Sequence, residues 1–167
     1  IGGGSPIDAA KAISAMAANH LKGVDIYDAA KIEKFYPVVA IPTTSGTGTE
    51  VTQYSVITDE KRKKKAGFGA ANTFPVLSYV DPRYTLSLPE IASRDTAIDA
   101  LSHLLEGLYS KKRNPLLYPL IYQGIGLIYQ HLKAVIETPQ NIELRGKLMQ
   151  ASTYGGMVIA QAGTTLQ

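Results

Sequence analysis

A chain of 167 residues, 45% hydrophobic and 19% charged, is enough for one ordinary globular domain or for parts of two. A net charge of +3 singles out no partner class. The absence of Cys excludes disulfides and thiolate metal sites and fits a cytoplasmic setting, and no apolar run approaches the roughly 20 residues of a membrane span.

The chain opens on Ile1-Gly2-Gly3-Gly4, a glycine turn with almost no strand before it, so its start reads as cut. Ser5-Pro6-Ile7-Asp8 reads as a helix start, with Ser5 as cap, Pro6 in the first turn and Asp8 where a capping-box acid would sit. Ala9 to His20 continues that helix. Glycines let backbone approach a ligand closely, and the unpaired N–H groups of a helix start attract anions. The turn is therefore a candidate pyrophosphate site, or else only a tight strand-to-helix connection. It is not the G-x-G-x-x-G fingerprint.

Tyr36 to Ile41 is a short apolar run between Pro37 and Pro42, consistent with a buried strand. The loop after it, Thr43 to Glu50, carries the hydroxyls of Thr43, Thr44, Ser45, Thr47 and Thr49 beside two glycines. At the carboxyl end of a strand in an open α/β sheet such hydroxyls can hold a carboxamide, ribose or phosphate; the plainer reading is a surface loop making local turns. Gln53 to Thr58 looks extended, and Lys61 to Lys65 reads as a solvated hairpin tip. No aromatic platform accompanies these lysines, so nucleic acid is not expected as a partner. Val76 to Val80 reads as another strand, closed by Asp81-Pro82.

Beyond residue 86 nothing resembles a buried strand. Ser87-Leu88-Pro89-Glu90 has capping-box spacing, and Arg94 to Ser110, Leu116 to Ile136 and Ile142 to Ala162 read as three helices. Gly124, Gly126, Gly155 and Gly156 fall inside the last two, where they suggest close helix–helix approach. In the first of the three, Ile98, Leu101, Leu104, Leu105 and Leu108 share one arc, expected to be the buried side, while Asp99, His103 and Glu106 share another. Asp99 and His103, four apart, converge on one place, as a divalent metal of the iron or zinc type would require; a surface Asp–His pair has the same spacing. His20 and His131 lie in other helices with no evident partner.

The succession GGGSPID, AIPTTSGTGTEVT, SVITD, a DP strand end and IDALSHLLEGLYS resembles the iron-containing (group III) alcohol dehydrogenases over essentially the whole chain, by feel closest to bacterial propanediol, lactaldehyde and butanol dehydrogenases. The resemblance implies a central fragment of a dehydroquinate synthase-like architecture: residues 1–88 from an α/β domain binding NAD or NADP, and residues 89–167 from an all-helical metal-binding domain. It implies that Gly3, Gly4 and Ser5 contact pyrophosphate, that Thr43, Thr44, Thr52 and Tyr54 surround the cofactor, and that Lys65 and Tyr84 reach it. Asp99 and His103 correspond to two ligands of Fe(II), with Zn(II) able to occupy the same donors. Gly163-Thr164-Thr165-Leu166-Gln167 resembles the approach to a third ligand, which with the fourth is expected beyond residue 167. Thr96-Ala97 departs from the family's usual threonine-glycine.

A homo-oligomer acting on a small alcohol or aldehyde is implied, with no membrane partner. The metal is implied to be a Lewis acid assisting hydride transfer, and no separate side-chain general base stands out. A zinc enzyme of the glycerol dehydrogenase type and a noncatalytic nucleotide-binding module are the competing readings.

Overall fold

A computed structural model describes residues 1–60 and 63–164. The expectations resting on Lys61, Arg62 and Thr165 to Gln167 lie outside the described residues.

The α/β part comes first. Helix α1 runs Gly4–Asn19, and its N-cap is Gly3 without a side-chain cap bond, so Ser5 lies inside the first turn instead of capping it. Asp8 does not close a capping box either; its carboxylate reaches across to Thr49 and Val56. The helix ends at His20, whose left-handed backbone returns an N–H to Met16.

The two expected strands are shorter than the apolar runs suggest. Strand β1 is Val39–Ala40 and β4 is Leu77–Ser78, paired in parallel, with an isolated parallel bridge from Gly2 to Pro42 extending the layer. Pro37 and Pro42 lack the N–H that would lengthen the ladder. Nor is the run buried on both faces: Ala40 is enclosed, whereas Val39 and Leu77 are half exposed, because no described element covers that side. Between them, β2 (Ser55–Asp59) and β3 (Lys64–Phe68) form an antiparallel hairpin, in which Lys64 and Lys65 of the expected tip belong to β3 instead, paired with Asp59 and Thr58.

The helical part is α2 (Glu90–Tyr109), α3 (Tyr118–Glu137) and α4 (Ile142–Ala162), with no strand among the described residues after Ser78. Helix α2 starts four residues earlier than expected, and its N-cap is Pro89, which offers no side-chain oxygen; the Ser87 capping box does not form. Buried Arg145 ties this start instead, donating to Ser93 Oγ at 2.6 Å, Pro139 O at 2.8 Å and Leu88 O at 3.3 Å.

Leu104, Ile121, Ile128, Leu148 and Val158 centre the core of this part. Glycines set the spacing of the helices: a Cβ on Gly124 would stand 2.7 Å from Leu104 Cδ1, and one on Gly155 would stand 3.2 Å from Ala100 O. Gly126 departs from the expectation, since only the Gln130 amide comes within 4.0 Å. Gly107, not singled out by sequence, sits directly against Val158.

The buried face of α2 is also rotated from the leucine arc. Ala97, Ala100, Leu104 and Gly107 face α3 and α4, and His103 and Glu106 are buried with them, while Ile98 is half exposed. Small residues win this face because two helices pack against it closely, leaving no depth for branched side chains.

Candidate functional site

The glycine turn and the threonine loop are joined by backbone hydrogen bonds. The Gly2 N–H donates to Ile41 O at 3.1 Å and the Thr43 N–H donates to Gly2 O at 3.0 Å. One residue further on, a Cβ at Gly3 would stand 3.0 Å from Thr44 Cγ2, and a Cβ at Gly4 would stand 2.7 Å from Thr47 Cγ2. A side chain at Gly4 would therefore displace Thr47, and one at Gly3 would press on Thr44, so glycine lets the loop lie close against the start of α1. Thr43 and Thr44 are partly exposed and Ser5 is exposed, so their hydroxyls are accessible beside the free N–H groups of that helix start.

The same loop reaches the helical part. A Cβ at Gly46 would stand 2.6 Å from Thr96 Cβ and 2.7 Å from Thr96 O, three residues before Asp99. Gly48, at φ 60°, lies on the backbone of Gly156 in α4. A single stretch, Thr43 to Gly48, thus touches the glycine turn, the helix carrying Asp99 and His103, and the helix behind them.

Asp99 and His103 do share one place. Their Oδ1 and Nε2 atoms are 3.7 Å apart, Asp99 on the partly exposed side and His103 buried at the seam of α2 and α4. Gly155 lies against the same seam: a Cβ there would stand 3.2 Å from Ala100 O and 3.4 Å, an ordinary contact, from His103 Cβ. The other imidazole nitrogen, Nδ1, faces the buried carboxylate of Glu106 at 3.8 Å. One carboxylate oxygen and one imidazole nitrogen pointing the same way, with a second carboxylate behind the ring, suit a divalent transition metal. They are two donors, and no group of three His, Cys, Asp or Glu able to hold a metal occurs among the described residues.

The remaining expected residues are less concentrated. Thr52 is buried, and its carbonyl and that of Tyr54 are taken by Lys11. Lys65 is exposed on β3 opposite Thr58, and Tyr84 is exposed in the turn Pro82–Thr85. Among the described residues no hydrogen bond or ion pair links either to the glycine turn. Two shallow apolar hollows lie elsewhere: one of about 240 Å³ beside Val80, Met149 and Tyr154, and one of about 390 Å³ between α2 and α3 beside Ile98, Ile125 and Tyr129. Neither is lined by a candidate cofactor or metal residue; contacts, not concavity, define this site.

Sequence reading missed two buried charges here. Lys11 is fully enclosed, and burial lowers its pKa to about 8 against the pull of Asp8 and Glu50. Glu50 is enclosed as well; burial raises its carboxyl, opposed by hydrogen bonds from its own backbone and from Thr153 and by the charge of Lys11. Its backbone carbonyl accepts the Ser78 hydroxyl at 2.5 Å, so it connects β4, the threonine loop and α4. The one available signal was position: Lys11 follows the turn by two helical turns on the face of Ile7, Ser14 and Ala15, all of them buried.

The family model described as iron-containing alcohol dehydrogenase matches residues 1–82, and that of the Fe-containing alcohol dehydrogenase family, C-terminal, matches residues 93–167. The NAD-dependent methanol dehydrogenase of Bacillus methanolicus is 36% identical over 99% of this chain and 44% of its own length. The solved iron-containing alcohol dehydrogenase of Thermotoga maritima superposes with a TM-score of 0.91 at 44% identity, over 99% of this chain and 45% of that one. Sulfoacetaldehyde reductase of Bifidobacterium kashiwanohense, solved in complex with NAD+, gives a TM-score of 0.88 at 34% identity, over 99% and 44%. The chain spans less than half the length of each of these relatives.

Proposed function

Because this chain belongs to the iron-containing alcohol dehydrogenase family, we propose that it carries the cofactor turn and half of the metal site of an NAD(P)-dependent oxidoreductase of small alcohols and aldehydes. The observation that supports this most is the reach of the threonine loop. Gly3 and Gly4 abut Thr44 and Thr47, and Gly46 abuts Thr96 on the helix of Asp99 and His103, so one rigid loop would hold cofactor and metal in a fixed relation. The methanol dehydrogenase relative is NAD-dependent by name, and the sulfoacetaldehyde reductase was solved with NAD+, which supports a nicotinamide cofactor here.

In this reading Gly3, Gly4 and Ser5 receive the pyrophosphate on the unpaired N–H groups of α1. Thr43 and Thr44 line the cofactor with hydroxyls; Thr52 and Tyr54 act mainly through their backbone, which shapes the loop. Lys65 and Tyr84 are the outer contacts. Asp99 and His103 hold the metal, with Glu106 behind the imidazole orienting it, and the completing donors come from outside the described residues. Iron(II), or zinc in its place, supplies Lewis acidity at the substrate oxygen when bound. The division at residues 1–88 and 89–167, a homo-oligomeric assembly and a cytoplasmic setting belong to the same proposal. Among the described residues no helix is long and apolar enough to cross a membrane. The family matched is the iron-containing one, which does not favour a glycerol dehydrogenase-like zinc enzyme.

The test is His103→Ala in the full-length protein. Bound metal per subunit and turnover should both fall by about 100-fold or more, with NADH affinity by fluorescence titration little changed. Stoichiometric metal and near-normal turnover would reduce Asp99–His103 to a polar helix face. For the cofactor half, Ser5→Ala and Thr44→Ala should each raise KM for NAD(P) with the fold intact; unchanged affinity in both would remove the assignment.

A further inference from the structure

Among the described residues Lys11 is the largest fully buried side chain, and its ammonium sits in a cage of oxygens from one short segment. Nζ donates to Thr49 O at 2.7 Å, Thr49 Oγ1 at 2.9 Å, Thr52 O at 2.9 Å and Tyr54 O at 2.8 Å. An ammonium has three hydrogens, so four acceptors at these distances use all its donor capacity, one of them shared. The same face of α1 makes three further ties. Thr49 Oγ1 donates to Asp8 Oδ1 at 2.5 Å, the Val56 N–H donates to Asp8 Oδ2 at 2.9 Å, and Ser55 Oγ donates to Asp8 O at 2.8 Å. The first two turns of the helix that begins at the glycine turn therefore fix the backbone from Thr49 to Val56.

That stretch is tied elsewhere at single points: Gln53 O accepts the Thr73 hydroxyl, Glu50 O accepts the Ser78 hydroxyl at 2.5 Å and the Glu50 carboxylate accepts the Thr153 hydroxyl at 3.2 Å, whereas Lys11 gathers three of its carbonyls at once. It runs through a short 3-10 turn, Thr49–Val51, and reaches β2 only at Ser55, so the carbonyls of Thr52 and Tyr54 precede any sheet ladder. A buried carbonyl must find a donor, and here one cation serves several at once. Its desolvation is offset by those oxygens and by the nearby carboxylates of Asp8 and Glu50.

We infer that Lys11 is a positioning residue for cofactor binding, whose ammonium, caged by the oxygens of Thr49, Thr52 and Tyr54, holds the threonine loop in register with the glycine turn. This rests on the cofactor reading above. Without the ammonium, the buried carbonyls lose their donor, and the loop that lies on Gly3 and Gly4 loses one anchor beside the Thr43–Gly2 bond and the contacts of Gly46 and Gly48.

The experiment uses Lys11→Met and Thr49→Val in the full-length enzyme, with Thr44→Ala and Ser5→Ala alongside. Met keeps the length and apolar stem but donates nothing; Val keeps the shape of Thr49 and its carbonyl but removes the hydroxyl between Lys11 and Asp8. For Lys11→Met, KM for NAD(P) and the dissociation constant for NADH should rise about tenfold or more, with kcat at saturating cofactor within about threefold and metal content unchanged. Thr49→Val should move both constants in the same direction by a few-fold. A folded Lys11→Met enzyme with wild-type KM and NADH affinity overturns the inference, as does a loss confined to thermal stability. Should Lys11→Met fail to fold, unchanged cofactor affinity in Thr49→Val overturns it. Weakened binding in Thr44→Ala with none in the Lys11 and Thr49 variants sinks this inference alone, whereas no weakening in either Thr44→Ala or Ser5→Ala sinks the cofactor reading beneath it.

Discussion

The two parts of the chain are held by different physics. Helices α2, α3 and α4 pack an apolar core around Leu104, Ile121, Leu148 and Val158, with glycines where they come nearest. The first part buries a smaller cluster, Ala12, Ala15, Ile26, Ile32 and Phe68, and is otherwise laced together by polar side chains on distant backbone. Lys11 and Asp8 hold Thr49 to Val56, Ser14 donates to Tyr36 O, and Asn19 bonds Glu33 and Lys34. A regular helix satisfies its own backbone, so its side chains are free to be apolar; a segment of short turns and two-residue strands must borrow donors and acceptors from side chains. The threonine loop belongs to the second kind, and its backbone is tied by side chains while Thr43 and Thr44 stay partly exposed.

The sharpest way to break the helical half is at its centre. Leu104→Ala removes a fully enclosed side chain between α2 and α3 and should destabilise by about 2–5 kcal/mol, read as a fall in Tm or in denaturant midpoint. A loss well below 1 kcal/mol would mean that the core does not centre there. The seam between the halves comes next. Gly48→Ala places a methyl on the Gly156 backbone at φ 60°, adding a left-handed penalty to an overlap that cannot relax, for about 2–4 kcal/mol together. Gly156→Ala should show a comparable loss, since its Cβ would stand 2.6 Å from Gly48 O. If both are tolerated, the two halves move independently.

In the polar half single ties matter less. Asn19→Ala removes acceptors from Glu33 and Lys34 and donors to Ala15 O and Lys34 O, at a partly exposed site where water can replace some of them. About 1–2 kcal/mol is expected, and the chemical shifts of residues 33–36 should move while those of α3 stay fixed. The salt bridge of Lys31 with Asp25, a partly exposed surface pair, should contribute little to Tm.

This contrast also explains what was legible in the sequence. Helices α1, α3 and α4 were readable almost to the residue, because apolar periodicity and breaks at Pro115 and Pro139 report a local property. The Asp99–His103 pair was readable from helical spacing alone. The leucine arc of α2 misled because the buried face is chosen by how close α3 and α4 come, and that favours Ala97, Ala100 and Gly107 over Ile98. Strands β1 and β4 were overextended because apolar character marks a place in a sheet but not how many ladder bonds the chain completes. Lys11 and Glu50 were invisible for a related reason. A charged residue reads as solvated until tertiary structure supplies its partners, and those of Lys11 lie 38 to 43 residues away.

A further small effect is a slope, and it also separates the halves. Burial holds the Glu50 carboxyl above its ordinary range, so the fold favours its neutral form. The folded value exceeds the unfolded one; the contribution of Glu50 is therefore fully present below about pH 4.5 and is lost as pH rises through the folded value. Glu50→Gln keeps an oxygen for the Thr153 hydroxyl and cannot ionise. The variant should gain Tm on the wild type as pH climbs from 4 toward 7. The helical half has its own buried ion in Arg145, whose pKa burial lowers, but a guanidinium keeps its charge across that range and adds no slope. A difference between wild type and Glu50→Gln that stays flat from pH 4 to 7 would place the Glu50 carboxylate in contact with water. The Glu50 side chain would then add nothing of its own to the loop's anchoring by Lys11, Asp8 and the backbone bonds.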